Sequence, residues 1–216
     1  MAKKQQRLPY FDLANFPVLE TIKMLTCLLE KITKANDSLH GPPSSFYTCF
    51  HARSIPTIDI QAYLIRILKY CPCANECFLS LLVYFDRMSQ NKEHALRIDS
   101  YSIHRLIIAG IMISSKFFSD VFFTNTRYAK VGGLPVKELN LLELEFLRMN
   151  NYNINVPFEE LQRYGDQLLM HSIKEREAVY RREKVHLDQQ FLCSKQQQHK
   201  QRQSACYQTH NPRFYS

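Results

Sequence analysis

Residues 78–85 read FLSLLVYF, and every side chain in this run except that of Ser80 is apolar. The run lies within residues 74–90, a stretch that contains neither proline nor glycine. A helix that is apolar almost all round its circumference is normally enclosed by other helices. We therefore expect residues 74–90 to form a helix at the centre of a helical bundle.

The chain on both sides of this run has the periodicity of amphipathic helices. Apolar residues recur every three to four positions, which places them on one helix face. The stretches with this pattern lie within residues 16–36, 58–70, 100–118, 135–149 and 157–168. Residues 119–131 are less periodic, and Gly132-Gly133 predicts a turn. No stretch alternates with a period of two, so we predict an all-α fold without a sheet.

The positive charge of the chain lies mainly outside its most apolar part. The formal net charge is +8, and it divides into +3 over residues 1–54, 0 over 55–170 and +5 over 171–216. We predict an N-terminal extension with an amphipathic helix at 1–54 and a neutral helical domain at 55–170. Residues 171–216 are charged and rich in glutamine, and we expect a partly disordered tail there.

The sequence lacks the motifs of the common enzyme classes. There are only five glycines, and the motifs GxGxxG, GxxxxGK[ST], GxSxG and HExxH do not occur. We expect no catalytic activity and no cofactor. The cysteines of CPCANEC, Cys71, Cys73 and Cys77, lack a fourth nearby ligand, so we predict no metal site there. The tail also contains four residues of metal-binding types, whose spacing matches no known zinc finger: Cys193, His199, Cys206 and His210.

The location of the protein is predicted from the same sequence. No apolar run is long enough to cross a membrane, and no signal peptide is recognisable at the N-terminus. An odd number of cysteines without a secretory signal indicates reduced thiols. We expect the protein in the nucleus and/or the cytoplasm, without a membrane partner.

Three segments in order resemble the cyclin box. They are FHARSIPTIDIQAYLIRILKYCPCANECFLSLLVYFDRMSQ, IDSYSIHRLIIAGIMISSKFFSD and NTRYAKVGGLPVKELNLLELEFL. Within the cyclins they are most similar to the phosphate-pathway branch, which includes the plant P/U-type and protist members. The resemblance covers roughly residues 18 to 165. It implies a single five-helix box, a leading helix, a short following helix and a flexible basic tail.

The resemblance also implies a partner and specific site residues. Cyclins bind and activate a cyclin-dependent kinase as a heterodimer, and a Lys and a Glu of the box contact the kinase backbone beside its C-helix. Here the matching residues are Lys116 in SSKFFSD and Glu143 in NLLELEFL. Asp86 matches an aspartate that forms a structural ion pair in the family, with Arg66 as the candidate partner. The segment characteristic of the branch is matched by Asn125, Tyr128, Gly132 and Gly133.

A second function class stays open at this point. Cyclin-like folds also occur in transcription factors, and the chain as a whole is basic. A nucleic-acid-binding factor would need a basic stripe on the folded domain, because phosphate contacts come from Lys and Arg. Residues 55–170 have no net charge, so we expect a kinase regulator, in cell-cycle or phosphate signalling, without direct nucleic-acid binding.

Overall fold

A computed structural model describes residues 9–40, 48–90 and 96–208 of the 216-residue chain. Those residues contain helices and no β-strand, so the prediction of an all-α fold is confirmed. The helices are α1 (Val18–His40), α2 (Ile60–Tyr70), α3 (Asn75–Gln90), α4 (Ile103–Phe118), α5 (Asn125–Gly132), α6 (Val136–Met149) and α7 (Phe158–Gln208).

The centre of the fold is α4. This helix packs against α2, α3, α5 and α6, and its side chains are buried from Ile103 to Ser115 with the exception of Arg105. The run that we expected at the centre lies in α3, which is indeed buried from Cys77 to Phe85. However, α3 contacts chiefly α4 and α1, and its last turns are partly exposed. The central position therefore belongs to the neighbouring apolar helix.

The leading helix is part of the same compact unit as the box. α1 packs against α2 and α3, and its Thr21 hydroxyl donates to the Asn75 side chain at 2.8 Å. Ahead of α1, Phe11 is fully buried and its N–H donates to Asp166 at 2.7 Å. The chain divides into compact units at Met1–Met170 and His171–Ser216. The boundary that we predicted at residue 54 lies inside the first of these units.

The helix after the box is much longer than expected. We predicted a short following helix and a flexible tail, whereas α7 extends from Phe158 to Gln208. Between Gly165 and Pro212 there is no glycine or proline, and 20 of the 46 residues are Gln, Lys, Arg or Glu. Such residues favour the helix without requiring a packed face. The polar composition that indicated a tail is therefore equally compatible with a helix.

Two local boundaries also differ from the sequence prediction. Residues 119–131 are less periodic in sequence than the segments beside them, yet they contain all but the last residue of the helix α5. Pro135, predicted at the first helical position of the next helix, has the extended backbone of a cap, and α6 begins one residue later. Among the described residues, no helix combines the length and the apolar character that crossing a membrane requires.

Candidate functional site

Lys116 and Glu143 form a partly buried ion pair where α4 and α6 pack together. Lys116 lies in the last turn of α4, and Glu143 lies in the middle of α6. Their Nζ and Oε1 atoms are 2.6 Å apart, with 28% of the lysine and 18% of the glutamate side chain exposed. The ammonium has three N–H donors, so this pair leaves donors for a partner's carbonyl groups.

Asn125 connects this pair to α5. Its Nδ2 donates to the second oxygen of Glu143, Oε2, and to Oδ1 of Asn140, both at 2.8 Å. Both carboxylate oxygens of Glu143 are therefore engaged by neighbouring helices. The structure thus brings together three of the residues predicted from sequence. Asn140 was missed, although its position three residues before Glu143 places it on the same face of α6.

The other residues of the predicted branch segment hold α5 in place. Tyr128 is fully buried, and burial raises the pKa of its hydroxyl to about 12. Gly132 lets both α2 and α4 approach, because a Cβ at this position would lie 3.2 Å from the Tyr63 hydroxyl of α2 and 3.0 Å from Ile108 of α4. The Tyr63 hydroxyl donates to the Gly132 carbonyl at 3.4 Å. Gly133 ends α5 with φ +70°, a conformation that favours glycine. These residues position Asn125 rather than contact the ion pair.

Exposed apolar side chains lie close in sequence to both residues of the ion pair. We call the apolar rim the residues Phe117, Val121, Phe122, Leu141 and Leu144. Leu141 and Leu144 are each more than 60% exposed and lie within two residues of Glu143. Phe117 directly follows Lys116. Residues one or two apart on a helix point in different directions, so the rim is defined by exposure and by nearness to the pair in sequence. Exposed apolar side chains near a few polar groups are typical of a protein interface.

The apolar rim could have been found from sequence. Leu139, Leu142, Phe146 and Met149 form the buried stripe of α6, as predicted. Leu141 and Leu144 do not belong to this stripe, so they had to be either exposed or part of a second contact. Leucines left over from the core stripe of an amphipathic helix are therefore the signal for this surface.

The predicted ion pair between Arg66 and Asp86 is not formed. The Asp86 carboxylate accepts a hydrogen bond from the Tyr164 hydroxyl at 2.6 Å instead. Arg66 lies on the exposed face of α2, a helix that packs against α1, α4 and α5. Burial, followed by the bond to Asp86, raises the pKa of Tyr164 to about 12, so the phenol keeps its proton. Asp86 therefore anchors α7 to α3 rather than α2 to α3.

The cysteine groups do not add a metal site to the described part of the molecule. Among the residues that the structure describes, no three His, Cys, Asp or Glu side chains are arranged to hold a metal ion. Cys73 is close enough to Cys77 for a hydrogen bond, and this bond and burial raise the pKa of Cys73. The tail residues Cys193, His199, Cys206 and His210 lie outside the side chains described.

Comparison with known proteins gives one consistent result. The family model described as Cyclin matches residues 20–154. The PHO85 cyclin-like protein psl1 of Schizosaccharomyces pombe is 45% identical over 74% of this chain and 71% of its own length. PHO85 cyclin-7 of Saccharomyces cerevisiae is 40% identical over 76% of this chain and 65% of its own length. Cyclin-U4-1 of Arabidopsis thaliana is 42% identical over 67% of this chain and 73% of its own length.

Proposed function

The chain belongs to the cyclin family, and on that premise we propose that it binds and activates a cyclin-dependent kinase of the PHO85 type. A cyclin is a regulatory subunit of a protein kinase and not itself an enzyme. The similarity to PHO85 cyclins and to plant U-type cyclins places the chain in the phosphate-pathway branch. The proposal assigns the kinase contact to Lys116, Glu143, Asn125 and the apolar rim.

The single observation that carries this assignment is the partly buried pair of Lys116 and Glu143 next to exposed apolar residues. The two charges neutralise each other, which limits the desolvation cost when a partner covers them. Lys116 has donors for main-chain carbonyls, and the glutamate can accept from a main-chain N–H. Polar contacts of this kind fix orientation, and burial of the apolar rim supplies most of the affinity.

Activation follows from where such a contact falls on a kinase. Protein kinases are active only when a glutamate of the C-helix pairs with the lysine that holds the ATP phosphates. A cyclin that binds the C-helix only in its inward position shifts the kinase population toward that state. The cyclin therefore contributes no catalytic group. It activates the kinase because it binds the conformation with the C-helix inward more tightly than the conformation with the C-helix outward.

The proposal is tested by capturing a purified PHO85-type kinase with Lys116→Ala, Glu143→Ala and the double variant. We expect each single change to weaken binding by about tenfold, which corresponds to about 1.4 kcal/mol. Kinase activity at a fixed cyclin concentration should fall in parallel. The matched control is Glu145→Ala, which removes a different carboxylate of α6. Oε1 of Glu145 lies 2.6 Å from a terminal nitrogen of Arg148.

The outcome that would contradict the proposal is unchanged capture and unchanged kinase activity in both single variants and in the double variant. Circular dichroism checks that each variant keeps its helices. For location, we propose the nucleus and/or the cytoplasm, which imaging of a fluorescently tagged chain tests.

A further inference from the structure

The helices α2 and α5 lie side by side and run in opposite directions. Near the end of α2, the carbonyl of Tyr70 accepts a hydrogen bond from Nε of Arg127 at 2.8 Å. Two turns earlier in α2, Tyr63 donates to the carbonyl of Gly132 at the end of α5. Both helices also pack against the central helix α4. Their exposed faces therefore both point away from α4 and form one continuous surface.

This surface carries four basic side chains and no acidic ones. We call the basic surface the residues Arg66 and Lys69 of α2 together with Arg127 and Lys130 of α5, all of which are exposed. Neither α2 nor α5 contains an aspartate or a glutamate. In the part of the chain that the structure describes, none of the four takes part in an ion pair. Within residues 55–170, which are neutral overall, the charges of these four side chains are thus not neutralised by an ion pair among the described residues.

Arg127 is held in a fixed position within the basic surface. Its Nε is engaged by the Tyr70 carbonyl, and its guanidinium carbon lies 4.0 Å from the centre of the Phe123 ring. The bond to Tyr70 uses the Nε donor, and the other four N–H donors of the arginine belong to its two terminal nitrogens. The Cys71 side chain is also within hydrogen-bond reach of the Arg127 side chain. A guanidinium that is already ordered loses little side-chain entropy when it binds an anion. Arg127 is therefore suited to anchor an anionic group.

Exposed apolar side chains lie on the same helix as two of the cations. Ile65 is 40% exposed and Tyr70 is 48% exposed, and both belong to the same helix as Arg66 and Lys69. Lys69 Nζ lies 5.5 Å from the centre of the Tyr70 ring. A surface that combines basic and apolar groups matches a polypeptide with charged and apolar side chains better than it matches a sugar-phosphate backbone. Nucleic-acid-binding proteins also neutralise more charge, with about six to ten phosphate contacts.

We propose that the basic surface binds a doubly phosphorylated segment of a partner protein. A phosphoserine carries about −1.5 to −2 charges at neutral pH, so two of them balance the four cations. The arginines provide forked donors for the phosphate oxygens, and the lysines add point charges. An apolar side chain between the two phosphates contacts Ile65 and Tyr70. A cyclin with this surface recruits phosphorylated proteins through contacts separate from Lys116 and Glu143.

The test measures binding of fluorescein-labelled peptides to the full chain by fluorescence anisotropy. The probes are a library of short peptides that each carry two phosphoserines and one leucine at varied spacing, together with the same peptides unphosphorylated. We expect phosphorylated members to bind and the double variant Arg66→Glu/Lys130→Glu to bind them at least about tenfold more weakly. The control is Lys174→Glu on α7, which makes the same change of charge at one site outside this surface. It should bind the phosphorylated peptides as tightly as the native chain does.

Several outcomes would overturn the proposal. They are equal binding of phosphorylated and unphosphorylated peptides, equal binding by the native chain and the double variant, and no binding of any library member. Tighter binding of oligouridylate or of phosphatidylserine vesicles than of any phosphorylated peptide, through the same four residues, would also overturn it. Kinase capture separates this inference from the proposed function. The double variant should still capture the kinase, and loss of both activities together would show that the basic surface is not a separate site.

Discussion

Asp99 is a fully buried carboxylate at the start of α4, and its neighbours compensate its charge. Arg97 lies 2.8 Å from its Oδ2, and the N–H groups of Tyr101 and Ser102 donate to its Oδ1 at 3.0 Å. The N–H of Thr48 donates to Nδ1 of His51 at 3.1 Å, and Nε2 of the same ring lies 3.4 Å from Oδ2 of Asp99. One side chain therefore joins two loops to the helix at the centre of the fold.

The Asp99 carboxylate should contribute stability that depends on pH. Burial acts to raise its pKa, but the hydrogen bond from Arg97, the charge of His51 and the Ser102 contact lower it below the usual value. A group whose pKa is lower in the folded state stabilises the fold above its unfolded pKa, and this contribution is lost as pH falls through the folded pKa. The stabilisation should thus be complete at neutral pH and disappear below about pH 4.

We expect Asp99→Asn to lower the free energy of unfolding by about 2 kcal/mol at pH 7, because hydrogen bonds to a charged group are lost. The difference from the native chain should narrow as the pH falls below about 4. Urea unfolding at a series of pH values measures both quantities. A difference that stays constant down to the lowest accessible pH would show that the carboxylate charge is not the source of this stability.

At the scale of elements, α5 explains why the proposed kinase site extends beyond α4 and α6. The helix is short, Thr124 caps its beginning by accepting from Arg127 N–H, and Gly133 ends it. Its first residue, Asn125, reaches Glu143, whereas Arg127 and Lys130 belong to the basic surface. The position of this one helix therefore decides the geometry of both surfaces.

Gly133→Ala should destabilise the domain by about 1–2 kcal/mol, because alanine resists the left-handed conformation that this position requires. Gly133→Asn should cost less, since asparagine tolerates that conformation better. No atom lies within 4 Å of a Cβ placed on Gly133, so both effects come from the backbone. Thermal unfolding of the two variants measures the difference. Equal melting temperatures for both variants and the native chain would contradict the assigned role of Gly133.

The sequence predicted the long helices well and α5 poorly, for a physical reason. Helices α1 to α4 and α6 have a full stripe of core side chains, whereas only Tyr128, Ala129 and Val131 of α5 are buried. A helix this short lacks enough periods to be recognised from its pattern. Its glycines predicted its end correctly. Similarly, the end of α7 could not be predicted, because helix-forming polar residues give the same sequence pattern whether or not the helix packs against another element.

Some contacts of the site residues could be predicted from the sequence and others could not. Lys116, Glu143 and Asn125 were identified from a resemblance that covers most of the chain, and the fold brings them together. The partner of Asp86 was not predictable, because Tyr164 is 78 residues away and no local pattern connects the two. Contacts between distant elements depend on the packing of whole helices. Local charge patterns on α2 and α3 do not contain this information.

At the scale of the whole molecule, the first compact unit presents two surfaces of different chemistry. The apolar rim with Lys116 and Glu143 lies on α4, α6 and the segment after α4, and the basic surface lies on α2 and α5. The net charge of +8 describes neither surface, because the whole excess lies in residues 1–54 and 171–216. The account therefore assigns kinase binding to an apolar surface with a neutral ion pair, and not to the overall basicity.

Adding charge to the apolar rim should weaken the binding of the kinase. We expect Leu141→Glu or Leu144→Glu to weaken kinase binding by at least about tenfold, because each leucine loses favourable burial in the interface. The free energy of unfolding should change by less than about 0.5 kcal/mol, since both side chains are exposed in the free chain. Leu39→Glu, at a leucine of α1 that is 74% exposed, serves as the control. Equal effects at all three leucines would contradict a specific interface.

The most direct measurement is site-specific photo-crosslinking of the chain to a PHO85-type kinase. A benzoylphenylalanine replaces Leu144 in the apolar rim in one sample and Tyr70 at the basic surface in the other. The account predicts a cross-link from position 144 to the small lobe of the kinase, beside its C-helix, and none from position 70. A cross-link from position 70 with none from position 144 would contradict it.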